Sequence, residues 1–178
     1  ICTQALHWKT KEGLVRGCSC RGTAGFAHVS CLAEQAKTLV AKGEEIHLPV
    51  KEGWARWNTC GMCKQHYHTV VMCSLGWACW KTYMGRPETD LARGMAMNNL
   101  GNGLLVADQF AEALSVQEAE LSTLRRLGGP EVSILTVQGN LAHTYNRLGK
   151  PEQALPLRRL VYSRLLELKG EEDEECLR

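Results

Sequence analysis

The chain has 178 residues, 44% of them hydrophobic and 22% charged, with a formal net charge of +2. That length permits one large or two small domains, the composition is that of a globular protein, and the near-neutral balance gives no argument for nucleic acid as a partner. No apolar run reaches the roughly 18 residues needed to cross a bilayer.

Eight of the nine cysteines fall in the first 79 residues, and only Cys176 lies beyond them. Near residue 85 the composition changes from Cys, His and Trp to Leu, Ala, Glu and Arg, and the stretch GRPE (85–88) supplies Gly and Pro there. This predicts a domain boundary. The expected organisation is a finger over 1–68, an apolar connecting helix and linker over 69–90, and repeats over 91–178.

Within the finger, Cys18 and Cys20 are followed by His28 after seven residues, by Cys31 after two more, and by Cys60 and Cys63 after a gap of 28; Cys2 stands upstream. Zinc takes four ligands in a tetrahedron, commonly thiolates and imidazoles, and CxC or CxxC pairs in tight turns each supply half a site. Seven such residues make one complete site and three quarters of another. The missing first ligand is expected as a cysteine two positions before Ile1, which, with the absent start Met, predicts a truncated chain. Two other readings of the thiols remain. One is a disulfide framework, which needs an oxidising compartment. The other is a catalytic cysteine paired with His28 or His66, which leaves the spacing unexplained. His7, His47, His66 and His68 match no ligand position and read as surface histidines, His7 being the best substitute for the missing ligand.

The run Cys18-Ser-Cys20-Arg-Gly22-Thr23-Ala-Gly-Phe26-Ala-His28-Val-Ser-Cys31-Leu32 fits the pattern C-x-C-[RKT]-G-[ST]-x-x-[FWY]-x-H-x-x-C-L throughout, and Cys60-x-x-Cys63 with Tyr67 fits its ending. It resembles the RING-CH (variant RING) zinc finger; a PHD finger shares the ligand order but not these spacings. The resemblance implies a small zinc-stabilised α+β cross-brace with two zinc ions. Cys18, Cys20, Cys60 and Cys63 would hold one, and Cys2, His28 and Cys31 with the missing ligand the other. It places Phe26 and Leu32 in a small core closed by Tyr67. It implies a structural metal with no catalytic residue, and a surface for a ubiquitin-conjugating enzyme, with Ile1, Leu32 and Trp57 as contacts. The family often carries Trp where this chain has Gln35, and Trp54 or Trp57 stands as an aromatic replacement.

The stretch TVVMCSLGWACW (69–80) predicts an apolar helix docking the finger against the first repeat. Cys73 and Cys79 are expected there as reduced, partly buried thiols, and Cys176 as a reduced thiol too. In the second half, Asn99-Leu100, Ala113-Leu114, Leu124 and Leu127 recur at a constant offset of 41 as Asn140-Leu141, Ala154-Leu155, Leu165 and Leu168. Leu141, Tyr145 and Leu148 follow the helical period. Gly149 and Pro151 read as a helix stop and start, and Pro156 lies near a helix start. Each unit is a helix hairpin that must stack on a neighbour. The pattern NLG…EAL and NLA…LG..EQAL resembles tetratricopeptide repeats of the kinesin-light-chain kind, two units and the start of a third. The fold class expected here is an all-α helical-hairpin solenoid. The resemblance implies a groove for a protein or peptide partner, with Asn99, Asn140 and Asn146 as its polar candidates.

Together these readings imply a soluble, reducing-compartment protein, cytoplasmic or nuclear, with no membrane segment. Its function would be that of a ubiquitin ligase whose finger recruits the conjugating enzyme and whose repeats recruit a substrate. The alternative is a zinc-stabilised interaction scaffold without ligase activity.

Overall fold

A computed structural model of the chain describes residues 4–47 and 53–169. They form two compact units, 1–107 and 108–178, so the composition change near residue 85 lies inside the first.

The first unit opens with an antiparallel bridge, Leu6 with Gly13. Strand β1 (Val15–Arg16) then pairs antiparallel with β2 (Phe26–Ala27), Val15 opposite Ala27 and Arg16 opposite Phe26. Helix α1 (Val29–Glu45) follows at once. Its buried residues Leu32, Ala36, Val40 and Gly43 recur at helical spacing on one face. A 3-10 turn, Ala55–Trp57, leads through the cysteine-bearing loop to helix α2 (Thr69–Tyr83).

Helix α2 is apolar on nearly all sides, as expected of a helix packed on several neighbours. It lies against α1, the 3-10 turn at Ala55–Trp57 and helix α3 (Leu91–Val106). The contact with α3 is made at backbone distance. A Cβ on Gly76 would stand 3.0 Å from the Asn99 carbonyl oxygen, and one on Gly103 3.0 Å from that of Met72. Tyr83 ends α2 with its ring 5.0 Å from that of Trp54 and 6.0 Å from that of Trp57. Arg86 covers the Tyr83 ring and pairs with Glu44 and Asp90. Asp90 caps α3 by accepting from the Ala92 amide at 2.8 Å, satisfying one of the helix's unpaired first-turn donors. One core therefore runs from Cys18 and Cys20 through Leu32, Val40, Trp57, Tyr67 and Leu75 to Ala96.

The second unit contains α4 (Phe110–Arg126), α5 (Glu131–Arg147) and α6 (Pro151–Lys169), with α5 packed on both of the others. Leu121, Val137 and Leu141 form its core, with Leu114, Leu124, Ile134, Tyr145 and Leu157 packed around them. Gly149, at φ +71°, ends α5 in the left-handed region open to glycine, and Pro151 begins α6. Pro156 sits in the second turn of α6. A polar pair is buried in this unit as well: Thr144 donates its hydroxyl to the Gln117 side-chain oxygen at 2.7 Å.

Candidate metal centre

Two loops in the first unit each carry two cysteines. The first is the connection between β1 and β2. Gly17 N–H bonds the Gly25 carbonyl at 2.9 Å, and the Arg16 guanidinium bonds the Cys20 carbonyl at 2.9 Å. The loop curls so tightly that a Cβ on Gly25 would lie 2.8 Å from the Cys20 oxygen. The second is a knuckle closed by the Thr59–His66 bridge. There Cys60 N–H bonds Gln65 O, Lys64 N–H bonds Cys60 O, and Lys64 takes φ +60°. The two loops are joined by the His68 N–H bond to the Gly17 carbonyl at 2.8 Å.

This pairing brings the sulfurs of Cys18, Cys20, Cys60 and Cys63 within 4.8 Å of one another. Residues about forty positions apart thus form a single cluster, and all seven described cysteines are free thiols. Around a zinc ion with Zn–S bonds near 2.3 Å, tetrahedral thiolates stand about 3.8 Å apart. The Cys20 and Cys60 sulfurs are 3.8 Å apart. The clustered thiols shift one another. Cys20 is pushed up to about 12 by the neighbouring Cys18 sulfur and by burial, and burial also raises Cys18. Cys60 is raised by burial, but the amides of Cys63 and Met62 outweigh this and bring it to about 7. Four thiolates cannot ionise side by side without a cation, whereas a bound divalent ion deprotonates all of them. The donor set therefore fits a metal ion.

His28 and Cys31 meet one loop away. The His28 Nδ1 lies 3.9 Å from the Cys31 sulfur. His28 is fully buried, and among the described residues its Nε2 has no hydrogen-bond partner. Ile1 and Cys2 lie outside the described residues. His7 is buried rather than on the surface, its ring 5.3 Å from that of His28. Its Nδ1 accepts the Thr10 amide hydrogen at 3.1 Å, so in the neutral ring Nε2 carries the proton and offers no lone pair to a metal. His47, His66 and His68 are exposed.

Two expectations need correction. Leu32 and Trp57 are 5% and 1% exposed, packed in the core, and side chains without surface cannot serve as partner contacts. Phe26 is 42% exposed and lies under the Arg16 guanidinium rather than in a core. Gln35 is exposed on α1. Besides Phe26, apolar side chains that face solvent in this region include Leu6, Trp8 and Met62. Nothing in the sequence pattern marked Met62 or Trp8. Tyr67 is buried as expected, its hydroxyl pushed up to about 12 by burial and by Cys60.

Of the groove candidates, Asn99 donates to the Met95 carbonyl and accepts from the Asn58 amide, so its polar groups are used within the first unit. Asn140 is half-buried. Asn146 is exposed and lines a surface cavity of about 300 Å³ with Pro151, Glu152, Leu155 and Arg158.

Comparison with known proteins finds one match, in the C-terminal helices. The tetratricopeptide repeat family matches residues 93–166, a repeat whose general role is to bind other proteins. No curated protein and no solved structure shows a significant match to the chain. Among the described residues no helix is long and apolar enough to cross a membrane.

Proposed function

We propose that the chain is a zinc-binding RING-CH-type protein. In this reading Cys18, Cys20, Cys60 and Cys63 hold one zinc, and His28 and Cys31 belong with Cys2 to a second. The zinc is structural: four protein ligands leave no position open for water or substrate. The observation that carries the reading is the cluster of four sulfurs within 4.8 Å of one another, built from two loops joined only by the chain's fold.

The finger recruits a ubiquitin-conjugating enzyme, and the tetratricopeptide repeats select the substrate. Catalysis of this kind is positioning: the finger holds the ubiquitin thioester in a reactive arrangement while its own residues form no covalent bond. With Leu32 and Trp57 buried, the surface offered to the enzyme includes Leu6, Trp8 and Met62. The cysteine chemistry fits a reducing compartment, cytoplasmic or nuclear.

A second reading, a zinc-stabilised interaction scaffold without ligase activity, is favoured by Gln35, a polar side chain exposed where the family often has Trp. Autoubiquitination separates the two. The zinc-loaded full chain, incubated with ubiquitin, activating enzyme and a panel of conjugating enzymes, is expected to build ubiquitin conjugates with at least one of them. No conjugates with any, while zinc stays bound, leaves the scaffold.

A further inference from the structure

We infer that Arg16 is a positioning residue for the four-sulfur centre: its guanidinium holds the Cys20 carbonyl and so keeps the Cys20 sulfur directed at the cluster. This rests on the reading that Cys18, Cys20, Cys60 and Cys63 hold a metal. Cys20 lies in neither strand nor helix, so no ladder of backbone bonds fixes its peptide groups. Just beyond it the chain turns away, with Gly22 at φ +60° opening the 3-10 turn Gly22–Gly25. Local contacts hold Cys20 instead. Its amide bonds the Cys18 sulfur. Its carbonyl accepts from Arg16 Nη2 at 2.9 Å and packs on Gly25, where a Cβ would lie 2.8 Å from the oxygen. The peptide groups on both sides of the Cys20 Cα are thereby held, and with them the direction in which its side chain leaves the backbone. A hydrogen bond from a charged donor is roughly twice as strong as a neutral one, which makes the Arg16 bond the stronger of the two.

Arg16 is itself fixed for this task. It stands in β1 directly opposite Phe26, so the two side chains share a face of the strand pair. Its guanidinium carbon lies 5.4 Å from the centroid of the Phe26 ring, and a cation over an aromatic face is attracted to it. Phe26 is 42% exposed and contributes little to a core; its ring is the support on which the guanidinium rests. The backbone beside Arg16 is anchored as well. Gly17 N–H bonds the Gly25 carbonyl at 2.9 Å, and the Gly17 carbonyl accepts from His68 N–H at 2.8 Å. Arg16 therefore springs from the place where the two cysteine loops are joined and reaches to the last ligand of the first. It does not touch the metal. Outer partners of this kind orient the residues that do.

Two substitutions on the full chain test this. Arg16→Met keeps an unbranched apolar stem and loses the donors. Arg21→Met removes the same charge from an exposed position beside Cys20. Zinc itself is the probe. Its affinity is read by competition with a chelator, and the zinc-loaded protein is then treated with N-ethylmaleimide and the alkylated cysteines are mapped by mass spectrometry. Arg16→Met is expected to weaken zinc binding by about 10-fold, the lower end of the usual loss for an outer partner. In that variant Cys20 should be alkylated ahead of Cys18, Cys60 and Cys63, whereas a first unit that is merely less stable exposes all four together. Arg21→Met should match the parent chain in both readouts. Parent-like affinity in Arg16→Met, equal alkylation of the four cysteines, or an equal loss in Arg21→Met overturns the role of Arg16 and leaves the metal centre standing. A parent chain that binds no zinc overturns the centre and this inference with it.

Discussion

Alanine at Gly103 sets two effects against each other. In a helix interior Ala is favoured over Gly by about 0.8–1.0 kcal/mol. At Gly103, however, the new methyl would lie 3.0 Å from the Met72 carbonyl oxygen and 3.1 Å from the Cys73 Cα. Both are backbone atoms of α2, so no side chain can swing aside and the two helices must move apart. Overpacking of this kind costs about 1–3 kcal/mol. The packing loss should win, leaving Gly103→Ala destabilised by up to about 2 kcal/mol. Gly94 supplies the control in the same helix: a Cβ there meets nothing within 4 Å, so Gly94→Ala should gain about 0.5–1 kcal/mol. Gly76→Ala is the reciprocal contact, 3.0 Å from Asn99 O and 3.1 Å from the Leu100 Cα. Once one methyl has parted the helices the second meets less resistance, so the double variant should lose less than the sum of the singles. Urea unfolding followed by tryptophan fluorescence reads the first unit alone, because all five tryptophans lie in it. A Gly103→Ala protein as stable as Gly94→Ala would refute the close helix contact.

Two further outcomes follow from the site. Gly25→Ala places a methyl 2.8 Å from the Cys20 carbonyl; it should loosen the first cysteine loop and weaken metal binding, whereas Gly22→Ala meets no atom and only a φ of +60°, so a zinc competition assay should rank Gly25→Ala as the weaker binder. Tyr67 and Tyr83 are both raised from 10.0 to about 12, chiefly by burial. A raised folded value means stability that is present below pH about 10 and lost as pH rises through about 12. Urea midpoints should fall across that window, and Tyr67→Phe should flatten the fall.

The sequence carried the site further than the surface around it. Spacing marked the cysteines as metal ligands, and the resemblance to the RING-CH pattern implied that Cys18, Cys20, Cys60 and Cys63 share one site, the four that the fold brings together. The repeat was legible for a similar reason: an offset of 41 repeats the helix pairs, and Gly149 and Pro151 mark a boundary locally. What stayed hidden depends on partners remote in sequence. Gly76 and Gly103 are silent until α2 meets α3. Asn99 read as a groove residue because Asn58, 41 positions earlier, cannot be known as its partner. Trp57 and Leu32 passed for contact residues since apolar side chains near a metal serve a core or an interface equally well by type. His7 lacked ligand spacing, and its burial against His28 appears only when the turn from His7 to Glu12 closes and Glu12 bonds Ser30.

The account stands most directly on the metal content of the four-sulfur cluster. Bound zinc should be measured on the purified full chain, on a Cys18→Ser/Cys60→Ser variant and on Cys73→Ser, whose thiol lies outside the cluster. The expected result is that the double variant holds one equivalent less than the parent chain while Cys73→Ser matches the parent. A parent chain without zinc, or a double variant that holds as much, would contradict it.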